Sequence, residues 1–277
     1  GVLNIVPGSG VGVGEPLGRH MDVDMISFTG STQTGKRFLT YSAESNVKEV
    51  VLEMGGKNPC IVMDDAENLD RIAEHVVNGA FWNMGENCSA ISRLIVHRDV
   101  KEELLSRVAI HARHWNVGDP LDPETRIGSL ISKAHFNKVC EYLEKAQSEA
   151  IYLGGKSHEG IFVEPTVINL KDHDDVLARE EIFGPVLSVI SVSSFDEAIK
   201  LANDTDYGLA ASIFTANAKR ALRGARAIRA GTVTVNCYGE GDISTPFGGY
   251  KQSGNGREGS TWGLEEYLEV KAIAGLT

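Results

Sequence analysis

The chain has 277 residues, 42% hydrophobic and 23% charged, with a formal net charge of −11, enough to bury one large core or two modest ones. Its surplus of carboxylates repels phosphate backbones and anionic lipid, which excludes nucleic acid and membrane surfaces as natural partners. No apolar run has the length of a bilayer span. The opening residues lack the basic start and small-residue cleavage site of a signal peptide, so a cytoplasmic protein is expected.

Short apolar runs alternate with amphipathic segments along the chain, the pattern of a parallel α/β architecture. Strands are expected at Val2–Val6, Met25–Thr29, Lys48–Glu53, Pro59–Met63, Arg93–His97, Leu187–Val192, Ala211–Thr215 and Thr232–Asn236. Helices are expected at Thr32–Ser42, Leu69–Asn83, Lys101–His114, Ser132–Glu149, Phe195–Asn203, Ala218–Ala230 and Gly263–Tyr267. Ser194 and Glu197 form a capping box for the helix at Phe195. The strand at Val2 begins with nothing before it, so an upstream segment is expected to be absent. Gly8–Gly14 fails the dinucleotide spacing at each frame and reads as a flexible loop. The tail, Leu268 to Ala274, alternates like a strand and is expected to pair with another subunit.

Four cysteines, Cys60, Cys88, Cys140 and Cys237, lie far apart with no CxxC pair, which argues against both a zinc site and a disulfide scaffold. Cys60 and Cys237 fall in apolar, strand-like stretches where thiols are buried and inert. His111 and His114 share a helix face without an evident ligand partner, so no metal is expected.

Four segments carry chemistry. In Met84-Gly85-Glu86-Asn87-Cys88-Ser89-Ala90 the cysteine follows a glycine by three and sits in a loop between a helix and a strand. Backbone N–H dipoles in such a loop favour thiolate; the alternative is a buried structural cysteine. In Leu52-Glu53-Met54-Gly55-Gly56-Lys57-Asn58 a glutamate ends a strand before two glycines, where burial can tune it as a general base; alone, such a residue is more often solvated. Glu180-Glu181-Ile182-Phe183-Gly184-Pro185 offers a carboxylate for ribose hydroxyls and a ring for a flat heterocycle. Pro246-Phe247-Gly248-Gly249-Tyr250 is a glycine-rich turn with two aromatics.

In this order the four segments, with Phe28-Thr29-Gly30-Ser31 and Val270-Lys271, resemble the NAD(P)-dependent aldehyde dehydrogenase superfamily over essentially the whole chain. The Gly-Asp-Ile-Ser-Thr-Pro-Phe-Gly-Gly run is most similar to its amino- and guanidino-aldehyde members. The resemblance implies an α/β fold: residues 1–52 as the remnant of a Rossmann-like cofactor domain, 53–252 as a parallel-sheet catalytic domain, and 253–277 as a return segment and oligomerisation tail. It implies that Cys88 attacks the aldehyde to give a thiohemiacetal and then a thioester, and that Glu53 activates the thiol or the hydrolytic water. Gly30 and Ser31 align with the pyrophosphate position at a helix start, Glu181 with the carboxylate on the nicotinamide ribose, and Phe183 with the ring beside nicotinamide. NAD or NADP is the implied cofactor and a homodimer or homotetramer the implied assembly. Tyr238, Glu240 and Asp242 border the family's substrate tunnel, where two carboxylates and an aromatic suit a cationic aldehyde.

The family's upstream oxyanion asparagine and adenine-ribose lysine find no match, so the sequence reads as a carboxy-terminal portion whose activity alone is in question. Rival readings are an inactive family fragment and a cofactor-independent cysteine esterase; the latter needs a histidine partner for Cys88, and no motif offers one. Within the superfamily, Glu53 favours hydrolysis over acyl transfer to coenzyme A.

Overall fold

The computed structural model describes residues 1–146, 151–239 and 241–275. The chain forms two compact units, one from residues 1–55 and 241–277, the other from residues 56–240.

In the first unit, β1 (Met25–Gly30) pairs in parallel with β2 (Glu49–Met54), joined by α2 (Thr32–Ala43). Val50, Leu52 and Met54 alternate onto one face of β2 and meet Phe28 and Phe38, as the two-residue period of a strand dictates. Two expectations fail here. Val2–Val6 forms no strand, and Val2, Leu3, Ile5 and Val6 are exposed, because no neighbouring strand among the described residues takes up their backbone groups. Gly10–Gly14 is not a loose loop but a helical turn that runs straight into α1 (Glu15–Arg19). Ser9 caps that turn by accepting from Gly12 N at 3.0 Å, and Arg19 pairs with Glu15 one turn back at 2.8 Å. α9 (Ser260–Glu265) precedes a tail that forms no strand among the described residues.

The second unit is a seven-stranded sheet. Its strands are β3 (Asn58–Val62), β4 (Ile91–His97), β5 (Ile151–Leu153), β8 (Thr166–Asn169), β9 (Val186–Val192), β10 (Ala210–Phe214) and β11 (Thr232–Val235). Their order is β11-β10-β3-β4-β9-β8-β5, parallel except for the antiparallel edge strand β5. Cys60 and Val62 point to the face covered by α3 (Leu69–Phe81) and α4 (Arg98–Ala112). Ile61 and Met63 point to the face covered by α7 (Phe195–Asn203). α5 (Lys133–Lys145) closes a third cluster with β8, β9 and α6 (Val176–Arg179); α8 (Ala218–Ala227) packs near β10 and β11. A hairpin of β6 (Ser157–His158) and β7 (Phe162–Val163) forms a separate two-stranded sheet and contributes Val163 to that third cluster. The strands β5 to β8 were not foreseen: they are short and broken by Gly154 and Gly155.

The helix at Phe195 has the bounds expected of it. Ser194 accepts from Glu197 N at 3.2 Å, but the Glu197 carboxylate reaches Ser193 N, at 2.7 Å, rather than the cap residue itself. α5 ends at Lys145, short of Glu149, which lies outside the described residues.

Arg93 fixes the sheet to its helical layer. Its guanidinium is wholly buried and donates to the carbonyls of Lys57 at 2.9 Å, Leu201 at 2.8 Å and Ala202 at 2.9 Å. Leu201 and Ala202 lie in the last turn of α7, where carbonyls lack helical partners and the dipole favours a cation. Burial lowers the guanidinium pKa to about 9. Arg93→Met leaves three buried carbonyls unsatisfied at about 1–3 kcal/mol each; urea unfolding is expected to show a loss of roughly 3 kcal/mol or more, with Arg93→Lys recovering only part of it.

Candidate functional site

Cys88 ends a loop with an unusual backbone. α3 runs into a tight turn, and Asn83, Met84 and Gly85 all take left-handed conformations, with φ of 51°, 57° and 69°. Asn83 can host that geometry because its side-chain amide turns back to the Glu86 carbonyl at 2.9 Å. Gly85 is required: a Cβ there would lie 2.2 Å from the Gly184 carbonyl oxygen. The loop leads into β4, while Glu181 and Phe183 lead into β9. These strands are parallel neighbours, so both segments emerge side by side at the amino-terminal edge of the sheet.

Asn58, at the start of β3, holds the thiol segment to that edge. Its amide donates to the Cys88 carbonyl at 2.8 Å and the Ala90 carbonyl at 2.9 Å, and its oxygen accepts from Ala210 N at 3.0 Å. The Cys88 Sγ is partly exposed and lies 3.8 Å from the Asn87 Oδ1. Cys60, by contrast, is fully buried, and burial pushes its thiol far above the ordinary range. Cys237 follows β11 and is half-buried rather than buried as expected.

Asn87, Glu181, Phe183 and Gly56 line one cavity. Glu181 accepts from Gly56 N at 3.0 Å; burial raises its pKa, while that amide, Lys138 and Lys57 oppose the rise. Phe183 holds φ at 58°. Tyr238 belongs to the same unit: its hydroxyl lies 3.4 Å from the Ser89 carbonyl, and burial raises its pKa.

Glu53 lies at the carboxyl end of β2 in the other unit, 6% exposed, and neither carboxylate oxygen has a hydrogen-bond partner among the described residues. Burial, helped by the nearby charges of Glu258 and Glu266 and opposed by Arg257, raises its pKa to about 8. The glycine-rich run is its cover. A Cβ on Gly248 would lie 2.7 Å from Glu53 Oε1, and Gly254 (φ 120°) pairs with Glu53 through a backbone bridge. Glu53, Arg257, Glu258 and Glu266 line one cleft of this unit. The sequence reading did not single out these last three; the signal was Gly-Arg-Glu closing the glycine run.

Ser31 caps α2, accepting from Thr34 N at 3.3 Å, directly after Gly30 at the end of β1. Of the expected substrate residues, Asp242 is exposed and engaged by its own turn, accepting from Ser244 N at 2.7 Å and from the Ser244 hydroxyl at 2.6 Å; those bonds lower its pKa. Glu240 lies outside the described residues.

Lys57 was also missed. It is buried, its Nζ has no hydrogen-bond partner among the described residues, and burial together with the Arg93 charge lowers its pKa to about 7. His111, expected to lack a partner, meets Asp70 of α3 at 3.2 Å. Among the described residues no group of three or more metal-ligating side chains converges, and no helix is long and apolar enough to cross a membrane.

Comparison with known proteins places these features in a family. The sequence profile of the aldehyde dehydrogenase family matches residues 1–273. An aminoacetaldehyde dehydrogenase of Pseudomonas aeruginosa is 62% identical over 276 residues, 99% of this chain and 56% of that protein. The NADP/NAD-dependent aldehyde dehydrogenase PuuC of Escherichia coli is 43% identical over 275 residues, again 99% and 56%. An indole-3-acetaldehyde dehydrogenase solved with NAD+ superposes with a TM-score of 0.95 at 45% identity, covering 98% of this chain and 56% of that one. The chain thus spans about half the length of the relatives it matches. In sequence and in α/β fold, the chain belongs to the aldehyde dehydrogenase family.

Proposed function

We propose that this chain is the thiol-bearing portion of an NAD(P)-dependent dehydrogenase that oxidises an aldehyde to a carboxylate. The observation that carries the proposal is Glu53: a buried carboxylate without a hydrogen-bond partner, with a pKa raised to about 8, is a proton acceptor tuned near the working pH. Cys88 is the nucleophile. Attack of its thiolate on the aldehyde carbon gives an oxyanion. The peptide N–H of the cysteine is one donor available to that oxygen, and in the family a second comes from an upstream asparagine. Glu53 takes up the proton released when the thiol ionises or when water attacks the thioester.

Each unit carries a feature suited to part of a dinucleotide. Glu181, held by Gly56 N in a cavity it shares with Phe183, would bind ribose hydroxyls, and the capped start of α2 at Gly30-Ser31 would receive pyrophosphate. When bound, the nicotinamide supplies the hydride acceptor for thioester formation. NAD use is supported by the solved relative, and either cofactor by PuuC. In this reading residues 1–52 belong to the cofactor domain, 53–252 to the catalytic domain, and the tail serves a homodimer or homotetramer in the cytoplasm.

The 62% identity to an aminoacetaldehyde dehydrogenase supports a cationic aminoaldehyde as substrate, with Tyr238, Glu240 and Asp242 as the candidates to recognise its charge. An ω-amino aldehyde and an aliphatic aldehyde of equal length distinguish this. Asp242→Asn combined with Glu240→Gln is expected to lower the ratio of their kcat/KM values at least about fivefold, within the range of a charge-assisted contact. An unchanged ratio removes the carboxylates from substrate recognition.

Glu53→Gln is expected to lower kcat by about 100-fold or more while iodoacetamide still labels Cys88. In the parent protein kcat should rise with pH through about 8 as Glu53 ionises; the variant should lack that limb.

The same shift fixes a sign for stability. Folded Glu53 keeps its proton up to about pH 8, whereas the unfolded carboxyl loses it above about 4.5. Its contribution is therefore present at low pH and lost as pH rises between those values. The melting temperature of Glu53→Gln relative to the parent is expected to increase from pH 5 to pH 9, by about 3 °C or more. A difference independent of pH would show that Glu53 ionises normally in the fold.

A further inference from the structure

α5 carries a set of side chains on one face that grip the segment leading into β9. Lys138 Nζ donates to the Glu181 carbonyl at 3.1 Å, and Tyr142 Oη donates to Glu180 Oε2 at 2.5 Å. Val139 fills the space beside Gly184. The intervals of three and four residues put these groups on one helix face. His135, one turn earlier, completes the row and differs from the others in reaching a second segment. Its Nε2 lies 2.5 Å from the Phe183 carbonyl and 3.4 Å from Glu86 Oε1.

The Phe183 carbonyl is an acceptor, so the ring carries its proton on Nε2 and donates it there, with Glu86 Oε1 at ion-pair distance. The His135 and Glu86 side chains are only 15% and 7% exposed. Glu86 is held further by Ile131 N, which donates to the same oxygen at 3.1 Å just before α5 begins. The Phe183 ring meets the imidazole edge-on, with centroids 5.9 Å apart. Glu86 is two residues from Cys88, and Phe183 is two from Glu181. Each segment contains left-handed residues other than glycine, Asn83 and Met84 in one and Phe183 in the other. Such backbone persists only where its surroundings over-determine it.

We propose that His135 is a positioning residue: by donating its imidazole N–H to the Phe183 carbonyl while lying against the Glu86 carboxylate, it fixes the segment presenting Cys88 in register with the segment presenting Glu181 and Phe183. What that register serves rests on the dehydrogenase reading; the mechanical link does not.

The test compares His135→Leu, His135→Gln and Lys138→Met with the parent in the purified protein. Hydrogen–deuterium exchange is read for residues 83–90 and 181–187. His135→Leu is expected to speed exchange in both segments together by about tenfold, the scale of one lost hydrogen bond. Lys138→Met should loosen only 181–187, and His135→Gln, which keeps an N–H, should restore most of the protection. Iodoacetamide labelling of Cys88 should change by about fivefold or more in His135→Leu alone. In turnover, His135→Leu is expected to lower kcat and raise the KM for NAD together, with rescue by His135→Gln.

Faster exchange confined to one segment, or spread evenly over the whole chain, would overturn the proposal, as would unaltered Cys88 labelling. If the parent shows no dehydrogenase activity, the function is wrong, while exchange and labelling still decide the link. If it is active and His135→Leu matches its kcat and KM, the residue has no positioning role.

Discussion

The thiol segment depends on one buried amide. Asn58 sits at the first residue of a central strand, and its three hydrogen bonds run to two carbonyls around Cys88 and to the first peptide of β10. A primary amide is suited to this position because it donates twice and accepts at the same time. An aspartate would face the carbonyls with negative charge, and an apolar residue would leave them unsatisfied in a site closed to water. The constraint then propagates outward. With the carbonyls at positions 88 and 90 fixed, the chain before them has little length in which to reach the end of α3. It makes the turn with consecutive left-handed residues, and the tight approach to Gly184 excludes a side chain at position 85.

The carboxylate chemistry rests on a different device, the use of glycine as cover. Backbone forms part of the cover of Glu53, since Gly248, Gly254 and Gly256 bring peptide groups against it. Backbone excludes water without presenting a cation close enough to hold the carboxylate ionised. Arg257 lies near and opposes the shift, but its guanidinium is spent on the carbonyls of Gly249 and Gly256. Glu258 and Glu266 add negative charge and act in the same direction as burial. The result is a proton acceptor poised near neutrality.

Much of this was legible in the sequence because it is local. The cap residues Ser31, Ser132, Ser194 and Asn217 each accept from a first-turn amide, and helix starts and two-residue strand alternation follow from neighbours along the chain. Cys88, Glu53, Glu181 and Phe183 stood out by their flanking glycines and prolines. What could not be read was set by distant partners. Arg93 looks like an ordinary strand-edge cation until Leu201 and Ala202 come to it from more than a hundred positions away. His135 acquires its contacts in the same manner, from segments remote in sequence. Val2–Val6 has strand composition, yet composition supplies no neighbour for its backbone.

The span of the Asn58 clamp has a consequence for biosynthesis. Its partner at Ala210 lies 152 positions downstream, and the contact between Gly85 and Gly184 closes a loop of similar scale. At a translation rate of roughly 5–20 residues per second, the nascent chain carries Cys88 for several seconds or more before the strands that define its loop have left the ribosome. During that interval the cysteine lacks the geometry that singles it out from Cys60 or Cys140. The sheet order delays assembly of the Cys88 loop until the later half of this chain has been made, so a polypeptide arrested early carries an ordinary thiol rather than a half-formed loop.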